Sequence, residues 1–151
     1  MSQSLSQLYI HLTFGTKRRR PIINPEWESD LHAYMAGILQ QYESPALIIN
    51  SVPDHIHIFF RLSKNYALAR VVEEVKKGSS KWVKGIKNGN SNFYWQGGYG
   101  AFSVSGYAVD IVKAYIENQK EHHRKRSYHE EVEEFIKDYD IIEYSPEYFW
   151  D

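Results

Sequence analysis

Between residues 8 and 14 the chain alternates strictly. Leu8, Ile10, Leu12 and Phe14 are set against Tyr9, His11 and Thr13, the period-two pattern of a strand with one buried face. Lys17-Arg18-Arg19-Arg20 follows as a loop. At Asn24-Pro25-Glu26 the period lengthens: asparagine is a good helix cap and proline suits the first helical position. Trp27, Leu31, Tyr34, Met35, Ile38 and Leu39 then recur at helical spacing. Ser44-Pro45 ends that helix, and residues 46–52 are apolar and β-branched enough for a second strand. Pro53-Asp54 predicts a turn. It leads into Asp54-His55-Ile56-His57-Ile58-Phe59-Phe60, a strand running to about Leu62. A second helix is expected over residues 67–86, with Leu68, Val72, Val75, Ser79, Trp82 and Ile86 along one face and Arg70, Lys77, Lys81 and Lys84 opposite. After a polar loop, residues 99–104 read as a fourth strand. Ser105-Gly106 offers a cap and a hinge before a third helix over residues 107–126, and a fourth helical stretch follows over residues 128–139.

The order is β-α-β-β-α-β followed by extra helix. It predicts an α+β, ferredoxin-like (RRM-like) fold, an antiparallel sheet with two helices on one face. The other face is left open, and the third helix is the natural element to cover it. With 151 residues and 42% apolar content, one domain spanning residues 1–151 with a single core is expected. No apolar run is long enough for a membrane span. Met1-Ser2-Gln3-Ser4 has neither the basic end nor the apolar stretch of a signal peptide, so cytoplasmic residence is expected. The absence of cysteine removes disulfides, thiolate metal cages and cysteine nucleophiles.

A net charge of −1 conceals an asymmetry. Residues 130–151 hold nine acids and one lysine, leaving 17 bases and 10 acids, a charge of +7, to residues 1–129. A basic body with an acidic tail suits a nucleic-acid partner. Lys17, Arg18, Arg19 and Arg20 and the lysine face of the second helix, Lys77, Lys81 and Lys84, are the candidate phosphate contacts. For the helix, an ordinary solvated face is an equal reading. Phe93, Tyr94 and Trp95 could stack bases or belong to the core.

Side chains two apart on a strand share a face, so His55 and His57 stand together while Ile56, Ile58 and Phe60 pack on the other side. Such a pair can be half of a metal site or a hydrogen-bonded sheet surface. On a helical wheel, Tyr115, Gln119 and His122 fall within about 60° of one another, presenting a phenol with an amide oxygen one turn below it. That face could bury a tyrosine, or it could bring an amide oxygen to two imidazoles and hold a divalent ion that keeps positions open for phosphodiester oxygens. Imidazoles favour manganese or zinc, whereas phosphate oxygens also suit magnesium. His122 reads as a phosphate contact, a replacement ligand or a plain surface residue. Asp54 reads as a turn cap.

Three segments, in order and in spacing, resemble the single-tyrosine transposases of bacterial insertion sequences, within the HUH (His-hydrophobe-His) endonuclease superfamily. They are Asp54-His55-Ile56-His57, Trp95-Gln96-Gly97-Gly98-Tyr99-Gly100-Ala101-Phe102-Ser103-Val104-Ser105, and Tyr115-Ile116-Glu117-Asn118-Gln119-Lys120-Glu121-His122-His123. The closing Tyr148-Phe149-Trp150-Asp151 also looks like the family's ending. The resemblance implies that Tyr115 is the nucleophile, that His55, His57 and Gln119 bind magnesium or manganese, and that no nucleotide cofactor is needed. It further implies a homodimer that cuts and rejoins single-stranded DNA at hairpin-marked element ends through a 5′-phosphotyrosine. Two other readings stay open: a domesticated relative that processes palindromic repeats, and a non-catalytic nucleic-acid-binding module of the same architecture.

Overall fold

The computed structural model of the protein describes residues 2–150; Met1 and Asp151, the ends of two segments read above, lie outside them. Four strands, β1 (Tyr9–Gly15), β2 (Ala46–Val52), β3 (His55–Arg61) and β4 (Gly100–Val104), form one antiparallel sheet in the order β2-β3-β1-β4. Helices α1 (Pro25–Gln41) and α2 (Leu68–Gly85) complete the expected α+β order. Asn24 caps α1 through its side chain, which accepts from the Glu26 N–H at 2.9 Å. The two-residue Pro53-Asp54 turn joins β2 to β3.

Alternation along β1 and β3 divides the sheet into two chemically distinct faces. Leu12, Phe14, Ile56, Ile58 and Phe60 are fully buried in the core with Leu31, Met35 and Leu39 of α1 and Val71, Val72 and Val75 of α2. The packed stripe of α2 differs slightly from the expected one. Val71 and Val83 join Val72, Val75 and Ser79 inside, while Trp82 is half-buried and stacks on Tyr34. An apolar stripe wider than 100° tolerates that rotation. Phe93 and Trp95 also belong to the core and only Tyr94 is exposed, so of the two readings of this cluster the core one holds for Phe93 and Trp95.

The opposite face carries His11 and Thr13 from β1 and His55 and His57 from β3; Thr13 pairs with His57 and Gly15 with His55. The expected third helix covers it, but as two helices, α3 (Val109–Glu117) and α4 (Gln119–His122), preceded by a 3-10 turn at Gly106–Ala108. The break is at Asn118 (φ −92°, ψ 19°). Asn50 on β2 accounts for it: its side-chain amide donates to the carbonyls of Ile116 at 2.8 Å and Glu117 at 3.2 Å. Helix α5 (Tyr128–Asp138), capped by the Ser127 hydroxyl, and the short α6 (Pro146–Phe149) close over the same face. Among the described residues no helix is long and apolar enough to cross a membrane.

Candidate metal centre and tyrosine site

The sheet fixes His55 and His57, both fully buried, with ring centroids 5.2 Å apart. Each ring is held from behind. The Nδ1 of His55 lies 2.7 Å from Asp54 Oδ1, and the Nδ1 of His57 lies 2.8 Å from the Nε2 of His11. Tyr128, at the start of α5, stacks on His55 at 3.9 Å with an 11° tilt, and its hydroxyl meets the Thr13 hydroxyl at 3.0 Å. Gly15 makes that stack possible, because a Cβ there would come within 3.0 Å of the Tyr128 ring and 3.2 Å of the Asp54 carbonyl. Asp54 therefore does more than turn the chain; it orients a histidine.

From the covering layer come two residues that the sequence did not single out. Glu131 on α5 is fully buried. Its Oε1 lies 3.0 Å from His57 Nε2, 3.2 Å from His123 Nε2 and 3.5 Å from His55 Nε2. His123 stands just past α4, with its Nδ1–H donating to the Arg126 carbonyl at 2.7 Å. One donor atom from each of His55, His57, His123 and Glu131 lies within 4.8 Å of the others, a grouping able to hold a metal ion. Gln119, the expected third ligand, is also fully buried beside them, and its Oε1 has no hydrogen-bond partner in the protein. An orphaned buried amide oxygen fits a place reserved for a cation.

Tyr115 reaches the same cluster within one chain. Its ring centroid lies 6.0 Å from that of His57, and its hydroxyl donates to Glu131 Oε2. Burial and then the Glu131 carboxylate raise its pKa well above the ordinary phenol value. Burial also works to raise the Glu131 carboxyl, but His57 and the hydrogen bonds from the surrounding imidazoles outweigh it and hold Glu131 ionised. Burial opposes charge on His55, which Asp54 and Glu131 nevertheless push upward. His57 is lowered by burial, with Glu131 opposing. His11 falls to about 3 through burial and the neighbouring His57.

His122 stays out of the cluster. Its ring lies 5.0 Å from that of Tyr115 and contacts the Arg126 guanidinium, whose Nη2 is 3.5 Å from the phenol oxygen. Beside these two residues opens a cleft of about 640 Å³ lined also by Asn118, Glu121 and Lys125. The basic loop is exposed at Lys17, Arg18, Arg19 and Arg20, and Lys77 and Lys81 are exposed on α2. Lys84 is half-buried, with its ammonium 3.9 Å from the Tyr94 ring centroid. Lys77, Lys81 and Lys84 all belong to α2, which packs on the core face of the sheet, so the structure does not bring them to the histidines. A sequence signal for the missed residues was thin: His123 adjoins His122 but faces the sheet only because the helix breaks at Asn118, and Glu131 is one acid among nine in the tail.

Against known proteins, the family model described as "Transposase IS200 like" matches residues 4–119, most of the chain. Among solved structures, one assigned as a transposase from Deinococcus radiodurans R1 superposes with a TM-score of 0.59 at 20% identity, covering 79% of this chain and 98% of its own. A REP-associated tyrosine transposase bound to a REP hairpin superposes with a TM-score of 0.60 at 16% identity, covering 82% of this chain and 74% of its own. No curated protein sequence gives a significant match. The paired strand histidines, the tyrosine helix folded over them and the match along residues 4–119 lead to one conclusion: this chain belongs to the IS200-like transposase family.

Proposed function

We propose that the protein is a single-strand DNA transposase in which Tyr115 is the nucleophile and His55 and His57, with Gln119, hold a divalent ion. The observation that carries the reading is the meeting, inside one chain, of the Tyr115 hydroxyl with a carboxylate that also faces both strand histidines. Tyr115 Oη attacks the phosphorus, the bond to the 3′-oxygen breaks, and the 3′-oxygen leaves to become a hydroxyl. The product is a 5′-phosphotyrosine. A 3′-hydroxyl from another strand reverses the step and restores the tyrosine without a nucleotide cofactor, since the bond energy is kept in the covalent intermediate. A bound magnesium or manganese ion would polarise a phosphoryl oxygen and so favour the charge that builds there.

The chain's own groups answer the remaining needs. A phenol whose pKa is raised gives up its proton only as the bond to phosphorus forms, and Glu131 Oε2, which already accepts that proton's hydrogen bond, is placed to relay it toward the departing 3′-oxygen. Arg126, beside the phenol oxygen at the mouth of the cleft, offers a fixed cation to the phosphate. Hairpin DNA is the partner we read, because a structural neighbour is bound to a REP hairpin. The exposed loop at Lys17, Arg18, Arg19 and Arg20 would meet its phosphates. A homodimer would supply the two nucleophiles that excision of an element needs.

The test is Tyr115→Phe incubated with a labelled single strand that carries a hairpin, in manganese. Wild type should give a covalent protein–DNA adduct that survives denaturing electrophoresis, and the variant none, with hairpin affinity changed less than threefold. An adduct formed by the variant would remove Tyr115 from its role. No adduct from wild type on any hairpin substrate would favour the binding-module reading.

A further inference from the structure

The arrangement of hydrogen atoms around the histidine cluster says more about the ion than the strand motif does. Asp54 Oδ1 at 2.7 Å occupies the Nδ1 of His55, and a carbonyl at 2.7 Å occupies the Nδ1 of His123. Because the carbonyl is an acceptor only, and the carboxylate is so when ionised, both Nδ1 atoms carry the hydrogen. In the neutral tautomers both Nε2 atoms are then bare lone pairs. They face one another at 3.2 Å, and both face the same carboxylate oxygen, Glu131 Oε1, at 3.5 and 3.2 Å. His57 differs: its Nδ1 meets the Nε2 of His11, a nitrogen that can donate or accept, so only the 3.0 Å approach of its Nε2 to that oxygen is fixed.

Two facing lone pairs and an anion converging in a buried space repel unless positive charge, a proton or a metal ion, lies between them. The 3.0 to 3.5 Å from Glu131 Oε1 to each imidazole nitrogen match the spacing of neighbouring donors around an ion bound at about 2.1 Å to each, and the whole set lies within 4.8 Å. A partner on each distal ring nitrogen is the usual support of metal-bound imidazole.

We infer that His123 and Glu131 are ligands of the ion, making the centre a three-imidazole, one-carboxylate set in which Glu131 bridges the ion and Tyr115. This deepens the proposed function and rests on it. Gln119, whose buried Oε1 has no partner in the protein, would be a further oxygen donor beside this set, with phosphate oxygens completing the shell when DNA binds. An N₃O set favours a transition-metal dication such as manganese over magnesium. The single carboxylate also ties the ion to the nucleophile: Oε1 lies among the imidazoles while Oε2 holds the phenol.

Calorimetric titration of the metal-stripped full chain with Mn²⁺, without DNA, tests this. One ion per chain should bind, with His123→Gln and Glu131→Gln each weakening it by more than the roughly 10–100-fold that loss of an outer-shell partner costs and Glu131→Asp recovering part of the loss. Pulsed EPR of the manganese form should detect three coordinated imidazole nitrogens in wild type and two in His123→Gln. Thermal melts in chelator identify any variant that has merely lost its fold, and for such a variant the nitrogen count of wild type decides. Two imidazoles in wild type, or unchanged affinity in both folded variants, would overturn the inference while leaving the tyrosine mechanism standing. A wild type that binds no Mn²⁺ at millimolar concentration would make the cluster a protonated hydrogen-bond network and overturn both.

Discussion

Acid should unfold this protein by way of His11, and the size of the effect can be worked out. His11 is 3% exposed, its Nε2 sits 2.8 Å from His57 Nδ1, and its pKa falls from an ordinary 6.5 to about 3. The folded state therefore binds fewer protons than the unfolded chain between those two values. Stability contributed by the neutral ring is complete above pH 6.5 and is lost as pH falls toward 3. At about 1.4 kcal/mol per pH unit the whole window is worth roughly 5 kcal/mol, and the part between pH 6.5 and 4.5 about 3 kcal/mol. For a urea slope of about 1–3 kcal/mol per molar, that part lowers the midpoint by about 1–3 M.

The informative comparison is His11→Phe in chelator. The ring's neighbours include Phe102 at 6.3 Å and Phe135 at 5.5 Å, apolar surroundings that suit a phenyl group in polarity. At pH 7 the variant leaves the buried His57 Nδ1 without its partner, about 1–3 kcal/mol, and should be less stable than wild type. As pH falls it should lose less, so the two stability curves cross between about pH 4 and 6. His57, also lowered, and His55, raised and acting with the opposite sign, remain in both proteins and cancel to first order. Parallel curves from pH 7 to 4.5 would refute the account of a buried neutral ring.

Two shorter predictions concern other elements. Gly15→Ala puts a Cβ within 3.0 Å of Tyr128 and 3.2 Å of a backbone carbonyl; we expect about 1–3 kcal/mol of destabilisation in urea unfolding and weaker Mn²⁺ binding, because the ring stacked on His55 must shift. A variant with Lys17, Arg18 and Arg20 replaced by alanine should lower the slope of log affinity for hairpin DNA against log salt by about 2 to 3. An unchanged slope would show that this loop is not where the phosphates lie.

What the sequence revealed tracks the range of the interactions involved. The strands and first two helices follow from local periodicity, and the alternation in β3 correctly set His55 and His57 on the face away from Ile56 and Ile58. Tyr115 and Gln119, one turn apart, do share a site despite the break between them. The break itself was illegible, because its cause is Asn50, on a strand more than sixty residues earlier, which takes the carbonyls that would have continued the helix. A continuous helix put His122 on the tyrosine's face. The broken one leaves His122 beside the phenol and brings His123 to the sheet. Glu131 was hidden for a different reason: in an acidic tail each carboxylate reads as solvated, and only burial against three imidazoles distinguishes one of them.

The location of these two residues matters for what kind of enzyme this is. The family match ends at Gln119, having included the histidine pair, the tyrosine and the glutamine. His123, Arg126, Tyr128 and Glu131 all lie beyond it, and all are drawn onto the site: two into the donor set, one beside the phenol and one across His55. A carboxylate buried at such a place is costly unless charge meets it, so α5 would not settle here on packing alone. Val132 supplies apolar burial at the next position, but Glu131 relies on the imidazoles at one oxygen and on the Tyr115 hydroxyl and Gln119 amide at the other. The segment following the tyrosine helix is thus part of the site's electrostatics, with its buried carboxylate accepting the hydrogen bond of the Tyr115 hydroxyl. Removing residues 127–150 should therefore weaken Mn²⁺ binding as Glu131→Gln does, whereas a segment that served only as a cover would leave that affinity unchanged.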